Sequence, residues 1–160
     1  MRIRKIAPNV ITLNAAISAL ASGGLWEKAL HILATMWASG PSPNVISYSA
    51  AMTACYKGGN PQGALELLAE MKSYNIKPNI ITYSACISAC DSPLLSHLAV
   101  PLLDESLDAG LSPDVICYSA ALSATAKHSS LSTVLALFER MKATAVRPNV
   151  ISYNAVLAAC

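Results

Sequence analysis

Apolar residues recur along this chain at spacings of three and four, which is the period of one face of an α-helix. The pattern predicts a helix from Val10 to about Ala21 and another from about Leu25 to Ala38. Gly23-Gly24 separates the two helices, and Ser39-Gly40 ends the second. The predicted inward residues are Leu13, Ala16, Ile17 and Leu20 in the first helix and Ala29, Leu30, Leu33 and Met36 in the second.

The same helix pair returns with a fixed period. Each first helix begins at the four-residue motif Pro-Asn/Asp-Val/Ile-Ile. The prolines of this motif lie at 8, 43, 78, 113 and 148, which is every 35 residues. A fixed period of this length is typical of stacked helical repeats. We expect a tail of a truncated repeat over 1–9, four full repeats over 10–44, 45–79, 80–114 and 115–149, and the first helix of a truncated repeat over 150–160. The simplest interpretation is a fragment of a longer array.

The second and fourth repeats are the most regular. Helices are predicted over 45–56 and 61–74, with Asn60 as N-cap and Pro61 as the first helical residue, and over 115–126 and 131–143. The predicted inward residues are Ala64, Leu65, Leu68 and Met71 in the second repeat and Leu135, Phe138 and Met141 in the fourth.

The third repeat, 80–114, is irregular. Cys90-Asp91-Ser92-Pro93 replaces the glycine turn, and Pro101 falls inside the second helix at an outward position. Because proline has no N–H to donate to the carbonyl of His97, the sequence predicts a kink at Pro101.

Composition limits the possible environments of these helices. Hydrophobic residues make up 54% of the chain and charged residues 12%, which suits helices buried on more than one side. Residues 29–56 carry no charge, but Gly40-Pro41-Ser42-Pro43 interrupts them, so neither part is long enough to cross a membrane. The net charge of +2 is too small for phosphate attraction to dominate affinity. A nucleic-acid partner would therefore be recognised largely by its bases.

The cysteines and histidines do not form a reactive pattern. Cys55, Cys90 and Cys160 share one repeat position with Leu20 and Thr125, which indicates small core residues and reduced thiols. No zinc ligand set is visible, and we expect no metal and no cofactor. The histidines occupy unrelated repeat positions and are predicted to lie on the surface: His31, His97 and His128. Because no nucleophile–base pair or phosphate loop is present either, we expect no enzymatic activity.

These 35-residue units, each opening Pro-Asn/Asp-Val/Ile-Ile, resemble the pentatricopeptide repeat (PPR) family across essentially all 160 residues. The Trp-x-x-Leu-Gly-x-x-Tyr pattern of the related tetratricopeptide repeats is absent. The resemblance implies a right-handed α-solenoid that binds single-stranded RNA, one base per repeat, in mitochondria or chloroplasts, in organellar RNA processing or expression. No targeting peptide is visible, and other proteins could bind through flanking regions not present in this chain.

The resemblance also implies roles for individual residues. The base-reading residues are Asn14, Asn44, Ser49, Asn79, Ser84, Asp114, Ser119, Asn149 and Asn154. The apolar residues that sandwich the bases are Ile11, Ile46, Ile81, Ile116 and Ile151. Taken in pairs, each reading residue with the residue after the next repeat's proline, they imply the target 5′-(C/U)-A-G-A-(C/U)-3′. The resemblance further places Lys57 and Lys127 against RNA phosphates.

Structural explanations compete with these roles. Asn or Asp after proline is also a usual N-cap, and Ser49, Ser84 and Ser119 could merely allow close helix packing. The tyrosines that precede the reading residues are better explained as core residues with a polar tip: Tyr48, Tyr83, Tyr118 and Tyr153. The alternative function is a tetratricopeptide-like scaffold that grips a protein partner in the same groove.

Overall fold

The computed structural model describes residues 8–128 and 130–160, and every regular element in them is helical. The α-helices are α1 Val10–Ser22, α2 Trp26–Ser39, α3 Val45–Lys57, α4 Pro61–Ser73, α5 Ile80–Ala89, α6 Ala99–Asp108, α7 Val115–Ala126, α8 Leu131–Ala143 and α9 Val150–Ala158, with a 3₁₀ turn at Ser96–Leu98. The chain forms two compact units, of which the first ends at Lys77 and holds α1 to α4. The second, Pro78–Cys160, holds α5 to α9. Most of the predicted tail over 1–9 lies outside the described residues.

The first helix of each repeat starts where the sequence predicts because an Asn or Asp side chain caps it. In each case a side-chain oxygen accepts a hydrogen bond from the backbone N–H three residues later. In α3, α5 and α9 the side chain of that third residue also receives a bond from the N–H of the cap. Such a cap contributes about 1 kcal/mol. The predicted N-cap Asn60 is confirmed as well, since its Oδ1 lies 3.0 Å from the N–H of Gly63.

Side chains at helical spacing form the core of the first unit. The buried stripe of α4 consists of Ala64, Leu67, Leu68 and Met71. The prediction that Leu65 belongs to it is wrong in part, because Leu65 lies one position off the stripe and is half-buried. These residues pack against α3, whose Ala51, Met52 and Cys55 are fully buried.

The core of the second unit is built in the same way. The buried stripe of α8 consists of Val134, Leu137, Phe138 and Met141. The prediction that Leu135 points inward is wrong, since 134, 137, 138 and 141 share one helix face and Leu135 is 43% exposed. Tyr153 and Cys160 are also exposed, contrary to the expectation of core packing.

The third repeat contains no kink at Pro101. The helix α6 begins at Ala99 after the 3₁₀ turn, so Pro101 is its third residue. The N–H groups of a first helical turn have no acceptor within the helix, and a proline there removes no hydrogen bond. The predicted kink is therefore wrong, whereas the outward position of Pro101 is confirmed by its exposure.

Three tyrosines confirm the prediction of core residues with a polar tip: Tyr48, Tyr83 and Tyr118. The Tyr48 hydroxyl donates to Glu70 Oε1 at 2.8 Å and accepts from Trp37 Nε1 at 3.1 Å. Burial, and then the hydrogen bond to Glu70, raises the pKa of Tyr48 well above its usual value. The hydroxyl therefore remains a neutral donor.

The thiols have the core role that their repeat position predicts, apart from Cys160. Cys55, Cys86, Cys90 and Cys117 are buried and form no disulfide bond. Burial raises the pKa of Cys55, Cys90 and Cys117 to about 11, which keeps them protonated. The part of the chain that the structure describes contains no group of three metal-ligating side chains, and none of its helices has the length and apolar character to cross a membrane. The three histidines are exposed, as predicted.

Candidate functional site

Two of the predicted reading residues are in contact in the first unit, Asn14 on α1 and Asn44 at the start of α3. Asn14 Nδ2 donates to Asn44 Oδ1 at 3.2 Å, although the two residues are 30 positions apart. Ser47, the third residue of α3, donates from Oγ to Asn14 Oδ1 at 2.6 Å. Asn14 is only 7% exposed, whereas Asn44 is half-buried. The three side chains therefore form one polar cluster with fixed amide orientations.

The same cluster recurs in the second unit. Ser119 on α7 donates from Oγ to Asn149 Oδ1 at 3.0 Å, and the Oγ atoms of Ser119 and Ser152 are 3.1 Å apart. The separations along the chain are 30 and 33 residues, as they are for Asn14 with Asn44 and Ser47. The helical repeat therefore brings a predicted reading residue into direct contact with the cap of the first helix of the next repeat.

The third such position differs in chemistry. Asp114 Oδ1 accepts from the N–H groups of Ile116 and Cys117, both at 3.0 Å, and the Asp114 side chain is exposed. Ser84 on α5 is half-buried and hydrogen-bonds the Cys117 thiol. A thiol therefore occupies the place that a Ser hydroxyl occupies in the other two clusters.

Three predicted reading residues have no predicted partner within their own unit: Ser49, Asn79 and Asn154. Ser49 is buried in the first unit, where its hydroxyl donates to the carbonyl of Val45 at 2.8 Å. Asn79 belongs to the second unit, where it caps α5. Asn154 lies exposed on α9.

Capping determines which atom each cap residue offers to a ligand. A helix start needs an acceptor, so the oxygen of Asn44, Asn79 and Asn149 is turned to the backbone N–H groups and the Nδ2 donor is left over. Asp114 caps through Oδ1 and keeps a second oxygen, Oδ2, as an acceptor. Asn and Asp therefore present opposite hydrogen-bonding groups from the same backbone position.

Each predicted reading residue within a helix has an exposed isoleucine three positions earlier on the same helix, which places the two on one face. The residues are Ile11, Ile46, Ile81, Ile116 and Ile151, and between 54% and 73% of each is exposed. Isoleucine is among the most frequently buried residue types. Its exposure at the same position in every repeat indicates apolar surface beside each polar group that is available to a ligand.

Comparison with known families identifies the repeat. The sequence matches the PPR repeat family over residues 8–57 and 43–91, and the pentatricopeptide repeat domain over residues 101–160. The chain belongs to the pentatricopeptide repeat family. No curated protein sequence matches this PPR chain.

Solved PPR structures share its fold. Maize PPR10 is 27% identical, with a TM-score of 0.74 over 97% of this chain and 22% of that one. PPR10 in complex with an 18-nucleotide psaJ RNA element is 23% identical, with a TM-score of 0.82 over 98% of this chain and 23% of that one. The PPR domain of Arabidopsis thaliana protein-only RNase P 1 in complex with tRNA is 16% identical, with a TM-score of 0.80 over 94% of this chain and 79% of that one. The expected α-solenoid fold class is confirmed, and the chain spans less than a quarter of PPR10.

The two lysines that the family resemblance predicts to lie against phosphate have different surroundings. Lys57 is the exposed last residue of α3. Lys127 Nζ lies 2.8 Å from both carboxylate oxygens of Asp91, 36 residues earlier. Sequence reasoning missed this ion pair, although an acidic residue in the irregular third turn was a visible sign of it. Asp91 reduces the charge that Lys127 can offer to a ligand.

Proposed function

We propose that this PPR chain binds single-stranded RNA, one base per repeat, through its reading residues and exposed isoleucines. The observation that carries the proposal is the recurrent contact between a reading residue and the next cap, Asn14 with Asn44 and Ser119 with Asn149, beside an exposed isoleucine. N-capping by itself needs neither the contact with a second helix nor the exposed aliphatic side chain. The structures of PPR10 and of the RNase P 1 PPR domain, each solved in complex with RNA, support the same function.

The chemistry of the caps accounts for base selection. On their Watson–Crick edges adenine and cytosine carry a ring nitrogen that accepts, whereas guanine and uracil carry a ring N–H that donates. The Nδ2 donors of Asn44, Asn79 and Asn149 therefore suit cytosine or adenine, and the free oxygen of Asp114 suits guanine or uracil. This assignment agrees with the target 5′-(C/U)-A-G-A-(C/U)-3′ and favours cytosine at the first position.

The isoleucines would supply the non-specific part of the binding energy. A base that stacks on an exposed aliphatic side chain removes apolar surface from water, which contributes about 25 cal/mol per Å². Because every repeat offers the same isoleucine, this contribution is similar at every position along the RNA. Selection between bases of the same size would therefore come from the polar reading residues.

Four or five bases would not select a transcript. A given tetranucleotide recurs about once in 256 positions, so the site frequency exceeds what such a short contact can discriminate. In this proposal the repeats work with further repeats of a longer protein, and the RNA is a mitochondrial or chloroplast transcript. Binding acts through occupancy of the RNA, with no chemical step at these residues.

A reciprocal exchange at two caps tests the proposal. Asp114→Asn should move the preference at the third base from guanine toward adenine, and Asn149→Asp should move the fourth from adenine toward guanine. Both side chains cap helices well, so helix content should not change. Each variant would be titrated against oligoribonucleotides with each of the four bases at the third or fourth position. We expect shifts in Kd of about fivefold to 150-fold at the matching position only.

Each variant serves as the control for the other. A uniform loss of affinity in both would mean that the caps have only a structural role. If no oligoribonucleotide bound the unaltered chain, the protein-binding scaffold would replace RNA binding as the function.

A further inference from the structure

A groove in the first unit lies outside the proposed RNA surface. It has a volume of about 390 Å³ and runs between α2 and α4. Its lining includes Trp26, Leu30, Ala34 and Trp37 from α2 and Glu66 and Glu70 from α4. No reading residue or exposed isoleucine lines this α2–α4 groove.

Both tryptophans of the chain line the α2–α4 groove. In the other repeats Trp26 is replaced by Pro61, Ser96 and Leu131, and Trp37 by Lys72, Leu107 and Lys142. Trp37 is held in place by Tyr74, with ring centroids 4.2 Å apart, and by its hydrogen bond to Tyr48. It nevertheless remains 40% exposed. At these two positions only the first of the four full repeats has aromatic side chains, and Trp37 is held in one orientation.

In the second unit an ion pair occupies the repeat positions that correspond to Ala34 and Glu70. There, Arg140 of α8 forms an ion pair with Asp104 of α6. At the same repeat positions the first unit has Glu70 on α4 and Ala34 on α2. Among the described residues that line the α2–α4 groove none carries a positive charge. The groove therefore has the carboxylate of Glu70 at the repeat position where the second unit has the guanidinium of Arg140.

We propose that the α2–α4 groove binds a cationic segment of a partner protein, with an arginine or lysine of that segment placed between the Glu66 and Glu70 carboxylates and the Trp37 ring. Indole is the aromatic side chain that attracts cations most strongly. The two carboxylates repel the phosphates of RNA, so the charge of the groove favours a protein over a nucleic acid. Trp26 and Trp37 are eleven residues apart on one helix, about 16 Å. An extended segment of about five residues spans that distance.

Two variants separate the groove from the rest of the fold. Ala34→Arg should create the ion pair of the second unit with the two charges exchanged, because the new guanidinium can pair with Glu70 and occupy the place of the partner's cation. Glu70→Gln removes the charge but keeps an oxygen that can accept from Tyr48. Neither substitution touches a proposed RNA-reading residue, so RNA binding serves as the control for folding.

The experiment begins with a displayed library of random ten-residue peptides, selected on the chain and counter-selected on Ala34→Arg. We expect enriched peptides to combine arginine or lysine with apolar neighbours and to change tryptophan emission. The best peptide, with each arginine replaced by neutral citrulline, should bind at least about tenfold more weakly. Ala34→Arg and Glu70→Gln should each weaken the unaltered peptide by about fivefold to thirtyfold.

Four outcomes would overturn the proposal. The selection could yield no peptide that distinguishes the chain from Ala34→Arg, or peptides without a cation. An oligoribonucleotide could change tryptophan emission in a manner abolished by Ala34→Arg, which would assign the groove to RNA. Sedimentation could instead show self-association that Ala34→Arg abolishes, which would assign the groove to a second copy. None of these outcomes bears on base selection by the caps.

Discussion

Removing the hydroxyl of Tyr48 should destabilise the first unit by a predictable amount. In Tyr48→Phe the ring remains buried, but two hydrogen bonds disappear, the one donated to Glu70 and the one accepted from Trp37. Each is worth about 0.5–1.5 kcal/mol. Glu70 is exposed and Trp37 is 40% exposed, so water restores part of the loss. We expect the free energy of unfolding to fall by about 1–2 kcal/mol.

Urea denaturation followed by tryptophan emission measures this loss directly, because both tryptophans lie in the first unit. A double-mutant cycle with Trp37→Phe divides the loss between the two bonds. In that background no indole N–H is left without an acceptor, so Tyr48→Phe should cost about half as much. An effect of Tyr48→Phe below about 0.3 kcal/mol in the unaltered chain would refute the reasoning, since the hydroxyl would then be equally well placed in water.

Two further predictions concern charge. Asp91→Asn should release Lys127 for phosphate, so the slope of log affinity for RNA against log salt should steepen from about −0.7 to about −1.4, and Lys57→Gln in the same background should return it to about −0.7. An unchanged slope would exclude Lys127 from phosphate contact. The second concerns pH: burial raises the pKa of Cys117 from 9.0 to about 11, so its contribution to stability is complete below pH 9 and is lost as the pH rises to 11. Urea midpoints between pH 8 and 11 should therefore decline, less so in Cys117→Ala, and an equal decline in both proteins would contradict the prediction.

The regular repeats could be predicted closely because their helix ends are determined locally. The predicted bounds 115–126 and 131–143 are those of α7 and α8 in the structure, where Asp114 and Ser130 cap the two helices. Pro101 was misinterpreted for the opposite reason. Whether a proline breaks a helix depends on where the helix begins, and in the third repeat a 3₁₀ turn after the irregular connection delays the start to Ala99.

The contacts at the candidate site could not be predicted, since they join residues distant in sequence. The resemblance pairs Asn14 with Asn44, but it does not show that their amides hydrogen-bond or that Ser47 fixes one of them. The ion pair of Lys127 with Asp91 also joins residues that are distant in sequence, 36 positions apart. Periodicity identifies the face on which a side chain lies, whereas these bonds depend on distances between helices.

The double role that we propose for the cap residues has a consequence for how such a protein changes over generations. A position that must begin a helix tolerates few side chains, chiefly Asn, Asp, Ser and Thr. An exchange of Asn44 for Asp is a single step within that small set, and it reverses the hydrogen-bonding group offered to a nucleotide while the helix still begins at Val45. New targets could therefore be acquired one nucleotide at a time, through ancestors that all remain stably folded.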